Sequence, residues 1–152
     1  MITKELEATK KCCLYASDFH LEMILVPYIK ERLDKTKFVI LTENNLQETV
    51  KILLDRMNIN KEIKKQIKKI NWNTDDHRKL NIIKKDIENN KEIEIIISGS
   101  YGYVKKMNEY LEDMSKTSNI NTIDCFCIED TQVNLKTLKG QYEHFLNTSS
   151  LS

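Results

Sequence analysis

The sequence predicts an α/β fold: a three-layer sandwich with a mainly parallel five-stranded sheet and helices on both faces. Two observations carry this expectation. Short apolar runs, most closed by Ser, Thr, Asp or Glu, recur at Lys11–Asp18, Lys37–Asn44, Glu92–Ser100 and Thr122–Asp130, with a weaker one at Lys68–Asp75. Between them lie stretches whose apolar residues repeat with helical spacing. Strands that alternate with helices build a parallel sheet covered on both faces. Such a sheet places its functional loops at the carboxyl ends of its strands. A length of 152 residues, 40% hydrophobic and 31% charged, fits one domain over residues 1–152 with a real core.

The elements follow in order. Residues 1–9 are polar and are expected to form a loose arm. The first strand covers Lys11–Ala16, and Ser17 or Asp18 can cap the helix after it by accepting a bond from a free backbone N–H. That helix is expected to turn Phe19, Met23, Val26, Tyr28, Ile29 and Leu33 toward the sheet. Pro27 in its middle removes one helical bond and should kink or split it. Phe38–Thr42 is the second strand. Leu46, Val50, Leu53, Leu54 and Met57 then mark one face of a helix. A second helical piece at Lys61–Lys69 has isoleucines on one side and lysines on the other, the latter read as a solvated face.

Ile70–Asn73 reads either as a short third strand or as a loop, and the flanking asparagines suggest a half-exposed Trp72. Thr74, Asp75 and Asp76 start a helix with Leu80, Ile83 and Ile87 inward, since carboxylates favour the positive end of a helix. Three consecutive isoleucines in Ile93–Ser98 mean burial on both faces and a central strand. The next helix carries Val104, Met107, Leu111 and Met114, and Ile123–Ile128 is the last strand. One or two helices containing Leu135, Leu138, Tyr142, His144, Phe145 and Leu146 end the chain, with a loose tail from Thr148.

A net charge of +1 gives no global field for nucleic acid or an anionic membrane. No apolar stretch approaches the roughly 20 residues of a membrane span. The opening MITKELEATKK lacks the apolar core of a secretory signal, so a cytoplasmic location is expected. Four cysteines, Cys12, Cys13, Cys125 and Cys127, all fall inside strand runs and lack metal-knuckle spacing. Reduced thiols acting as small core residues are the simpler reading, against a redox switch or soft-metal site.

Chemistry is expected at the strand exits. Ser98-Gly99-Ser100-Tyr101-Gly102 joins a strand to a helix, where backbone N–H groups and the helix dipole can meet an anion. Its G-x-x-G pattern is neither a dinucleotide fingerprint nor a Walker loop, and a plain tight turn accounts for it equally well. Ser17, Asp18 and His20 follow the first strand, Thr42 and Glu43 the second, and Glu129 and Asp130 the last. In a parallel sheet these exits share one mouth. Helix capping explains several of these residues individually; His20 is not a capping type. Asp75-Asp76-His77 cannot converge on one metal, because adjacent helical residues point about 100° apart. No Ser-His-Asp arrangement, nucleophile elbow or H-E-x-x-H occurs, and no motif names a cofactor.

One pattern is familiar. Cys13–Asn44, with a strand bearing Tyr15, a helix holding Pro27-Tyr28 and a second strand over Val39–Leu41, resembles the opening of the MEDS domain, the methanogen/methylotroph sensory domain. The chain departs from that family at Lys10-Lys11, where the family has His, and at Asp34–Lys37, where it has a Gly-Glu turn. The resemblance implies a RecA-like sensory module without a Walker loop, acting with a sensor kinase or transcription regulator. With no room for an output domain in this chain, output is expected through a partner protein.

The preferred reading is therefore a non-enzymatic sensory or regulatory domain that binds a small, anionic metabolite. Ser98–Gly102 would give backbone donors, and Ser17, Asp18, His20, Thr42 and Glu43 polar selectivity. The alternative is a metal-assisted hydrolase or phosphoryl-handling enzyme using Asp18, Glu43 or His20. A third class is a homodimer formed through Tyr103, Met107, Tyr110 and Met114.

Overall fold

In the computed structural model, which describes residues 10–114 and 120–146, strands and helices alternate much as the sequence predicts. The expected arm at 1–9 and the tail from Thr148 lie outside the described residues. The chain runs β1 (Lys10–Tyr15), α1 (Asp18–Arg32), β2 (Lys37–Thr42), α2 (Gln47–Arg56), α3 (Lys61–Lys69) and α4 (Asp76–Glu88). It continues with β3 (Ile93–Gly99), α5 (Tyr101–Met114), β4 (Asn121–Cys127), α6 (Leu135–Gln141) and β5 (His144–Leu146). The five strands form one sheet in the order β2-β3-β4-β1-β5, with every pairing parallel. The architecture is a three-layer α/β sandwich.

Alternation along each strand divides the core in two. Cys13, Tyr15, Phe38, Ile40, Ile96, Ile123 and Cys125 meet α1, α2 and α3 on one face. Cys12, Val39, Leu41, Ile95, Ile97 and Phe126 meet α4, α5 and α6 on the other. The rung Thr42, Ser98, Cys125, Cys13 and Leu146 crosses the whole sheet, and every member is buried. The four cysteines are free thiols.

Several expectations need correction. Ile70–Asn73 is a loop after α3. Its backbone is tied to helices: Leu46 N–H donates to the Trp72 carbonyl at 3.0 Å, and Trp72 N–H donates to Gln47 Oε1 at 3.1 Å. Trp72 is fully buried, since its indole N–H reaches the Ile67 carbonyl at 3.0 Å and leaves no polar edge for water. The fifth strand is instead His144–Leu146, which pairs with β1; three residues are too few to show a period of two. Phe19 and Met23 are exposed, and Leu21, Ile24, Leu25, Tyr28 and Ile29 fill the interior. Apolar residues occupy so many positions of α1 that spacing alone does not select its face. The helix continues unbroken through Pro27. The carbonyl that the proline leaves without a donor belongs to Met23, on the exposed side, where water can satisfy it. Finally, β4 is the middle strand, with β3 one place further out.

Connection α1 carries the chain from β1 toward β2, whereas α6 carries it from β4 past β1 to β5. The direction of winding reverses between β1 and β4. Helices leaving these neighbours lie on opposite faces, so their exits splay apart and open a crevice.

Candidate functional site

That crevice is a cleft of about 360 Å³ over the carboxyl ends of β1, β2, β3 and β4. Tyr15, Ser17 and Asp18 line it from β1, Glu43 and Asn44 from β2, Gly99 and Ser100 from β3, and Cys127, Glu129 and Asp130 from β4. Parallel pairing delivers all four exits to one side. The structure thus brings Ser17, Asp18, Glu43, Gly99 and Ser100 together with Asn44, Glu129 and Asp130 from the same strand exits, and adds Tyr15 and Cys127.

The other expected residues are spent elsewhere. His20 turns its ring back to accept the Ala16 N–H on Nδ1 at 2.9 Å, while its own N–H donates to Ser17 Oγ at 3.2 Å. It closes the β1–α1 turn. Thr42 is buried and donates to the Asn44 carbonyl at 2.6 Å, and Ser98 is buried beneath the cleft floor. Tyr101 stacks on Phe126, with ring centroids 5.9 Å apart, and borders a different cavity. Gly102 has open space where a side chain would project.

Gly99 is different. A Cβ there would lie 2.8 Å from Glu43 Cβ and 2.9 Å from Tyr103 Cδ2, and its φ of +155° disfavours other residues. The close approach allows Glu43 Oε1 to accept the Ser100 N–H at 2.8 Å. Asp130 Oδ2 accepts the Tyr101 N–H at 2.7 Å, and Ser100 Oγ accepts the Tyr103 N–H at 3.2 Å. Three donors at the start of α5, an anion site by sequence, are thus taken by the protein's own carboxylates and hydroxyl. Bonds from Tyr101 and Gln132 N–H hold the Asp130 carboxyl below the usual range.

The lining includes four carboxylates, Asp18, Glu43, Glu129 and Asp130, and, among the described residues, no Lys, Arg or His. An incoming anion meets like charge, and the N–H groups of Ser100, Tyr101 and Tyr103 at the start of α5 are already bonded within the protein. A ligand carrying N–H⁺ donors meets acceptors of opposite charge. Burial, with Cys125, Cys127 and Asp18 nearby, pushes the Tyr15 hydroxyl well above its ordinary range, so it stays a neutral donor. Among the described residues, no group of three or more His, Cys, Asp or Glu is placed to hold a metal ion. Nor is any helix among them long and apolar enough to cross a membrane.

Sequence reasoning missed a second polar cluster. Asp124, in the middle strand, is fully buried between α5 and α6. It accepts from Asn108 Nδ2 at 3.0 Å and from the Tyr142 hydroxyl. Lys10 Nζ donates to Asn108 Oδ1 at 3.2 Å. Burial raises the Asp124 carboxyl despite these bonds. The available signal was a lone carboxylate inside the apolar run Thr122–Cys127.

Comparison of the chain with protein-family models, with curated proteins and with solved structures finds no match.

Proposed function

We propose that this protein is a non-enzymatic sensory or regulatory domain that binds a small polar metabolite over the carboxyl ends of its strands. Output passes through a partner protein, a sensor kinase or a transcription regulator. The observation that carries the reading is the acid-lined cleft at the crevice between β1 and β4. Its charge selects a ligand bearing an amine or guanidinium group, in place of the anion expected from the G-x-x-G loop. The segment that resembles the MEDS opening, Cys13–Asn44, supplies Tyr15, Ser17, Asp18, Glu43 and Asn44, half of the lining. Engagement of Glu43 by a cation would draw it from the Ser100 N–H and loosen the start of α5, a change a partner can read.

The metal-assisted alternative draws on Asp18, Glu43 and His20. His20 commits Nδ1 to the Ala16 N–H and stands outside the lining, which favours the binding reading. The test is calorimetry on a panel of amines, guanidines, phosphates and carboxylates, repeated on Asp18→Asn and Glu129→Gln. A cationic compound should bind, and each substitution should weaken it about tenfold, the value of one lost charge-assisted bond. Binding confined to anions, or cation binding indifferent to both substitutions, overturns the proposal.

A further inference from the structure

The β2 edge of the sheet, toward the amino end of the strand, carries a second feature. β2 ends the strand order, so one side of its backbone has no neighbouring strand among the described residues. Lys37 N–H donates to the Glu92 carbonyl and Glu43 N–H to the Ser98 carbonyl, which places the odd-numbered residues toward β3. By alternation, the N–H groups of Phe38 and Ile40 point to the open side. A groove of about 410 Å³, mostly apolar, runs there between α3 and α4, with Phe38, Ile40, Ile70 and Ile82 among its walls. That volume lies within the span of small-molecule sites.

Its charges are all positive. Lys37, Lys69 and Lys79 line it, and no Asp or Glu among the described residues does. Lys37 is already matched, with Nζ 2.9 Å from Asp86 Oδ2. Lys69 is exposed at the rim. Lys79 is only 2% exposed, and its Nζ donates to the Asn73 carbonyl. Among the described residues, no carboxylate lies within ion-pair distance of that nitrogen; Asp76 and Asp75 act on it from further away. Burial pulls its pKa down to about 8 against their pull. A buried ammonium without a counter-ion is costly, and a ligand that supplies one recovers that cost.

We propose that this groove is a second ligand site, built for a small amphipathic carboxylate whose chain lies on the apolar wall and whose head group meets Lys79. One unmatched buried cation calls for one negative charge, which favours a carboxylate over a phosphate ester. The outward N–H groups of Phe38 and Ile40 offer further donors to its oxygens. The site is independent of the cleft at the strand carboxyl ends and stands or falls apart from it.

The test uses octanoate, 1-octanol and octylamine on the full chain. Trp72 fluorescence reads binding, since this single, buried tryptophan sits between the groove residue Asn71 and the Lys79 acceptor Asn73. Octanoate should bind at least tenfold more tightly than octanol, and octylamine should not bind. Lys79→Gln should remove the preference for octanoate. Because that residue is buried, Ile82→Asp gives an independent arm: its side chain is 38% exposed, and a carboxylate there should abolish octanoate binding while the fold is kept. Equal binding of all three amphiphiles, no binding of octanoate, or octanoate binding unchanged in Ile82→Asp overturns the proposal. So does capture of an extended acidic peptide in preference to octanoate, which would make the groove a strand-addition edge.

Discussion

The two glycines of the G-x-x-G loop should behave in opposite ways when replaced by alanine. At Gly99 the new methyl would sit 2.8 Å from Glu43 Cβ and 2.9 Å from Tyr103 Cδ2, at a φ of +155°. The backbone conformation costs a non-glycine residue about 1–3 kcal/mol. Overpacking against two side chains costs about 1–3 kcal/mol more. Gly99→Ala should therefore destabilise the protein by about 2–6 kcal/mol. With a urea m-value of about 2 kcal/mol/M, the midpoint falls by roughly 1–3 M. Gly102 lies in the first turn of α5 with nothing within 4 Å of its missing methyl. There Gly102→Ala should stabilise by about 0.4–1 kcal/mol, because the unfolded chain loses freedom. Equilibrium urea unfolding of both variants is the assay. Equal effects, or a neutral Gly99→Ala, would refute the idea that the first glycine exists to admit Glu43.

Other outcomes follow from buried polar groups. Glu22 is fully buried on α1; Oε2 accepts from Thr49, and Oε1 has no partner among the described residues. Burial raises its carboxyl pKa, the Thr49 bond opposes this and the Asp18 charge adds to it. A raised folded pKa gives stability that is complete below the unfolded value and lost as pH climbs through the folded one. Glu22→Gln should therefore raise stability at pH 7 by up to about 1 kcal/mol and flatten the fall in Tm on going from about pH 5 to 8. A steeper fall would contradict this. A native thiol titration with an aromatic disulfide reagent should count one fast group, Cys127, which is half-buried beside the cleft. Burial pushes the Cys12 thiol up to about 12 and raises Cys125 as well, so both stay unreactive until denaturant is added. Tyr103→Phe removes the 2.8 Å bond to Asp76 Oδ1 that ties α5 to the start of α4, and should cost about 0.5–1.5 kcal/mol in urea unfolding.

The α/β class and four of the five strands were legible because each strand run is bounded by polar residues and followed by helical spacing. β5 was not, since its three residues pair with β1 through contacts no local pattern encodes. Trp72 was misjudged for a related reason. Its asparagine neighbours announced a surface loop, yet α2 and α3 close over the ring. At the site, sequence logic placed Asp18, Glu43 and Ser100 over one mouth from parallel topology alone. It could not show that Glu43 and Asp130 satisfy the first donors of α5, because that depends on partners 57 and 29 residues away. Together with the four carboxylates of the lining, those bonds are what lead us to propose a cationic ligand in place of the expected anion.

The position of β1 bears on how the molecule is made. Among the described residues its strand partners are β4 and β5, so β1 is made before both of the strands that flank it. On the ribosome, β2 and β3 can associate early, whereas the Cys12–Tyr15 segment stays sticky and unsheltered until the last third of the chain has emerged. Long-range closure of that kind slows folding and exposes nascent chains to clumping. Holdase chaperones should therefore improve yield chiefly during synthesis, and truncated products ending before Asn121 should accumulate as aggregates.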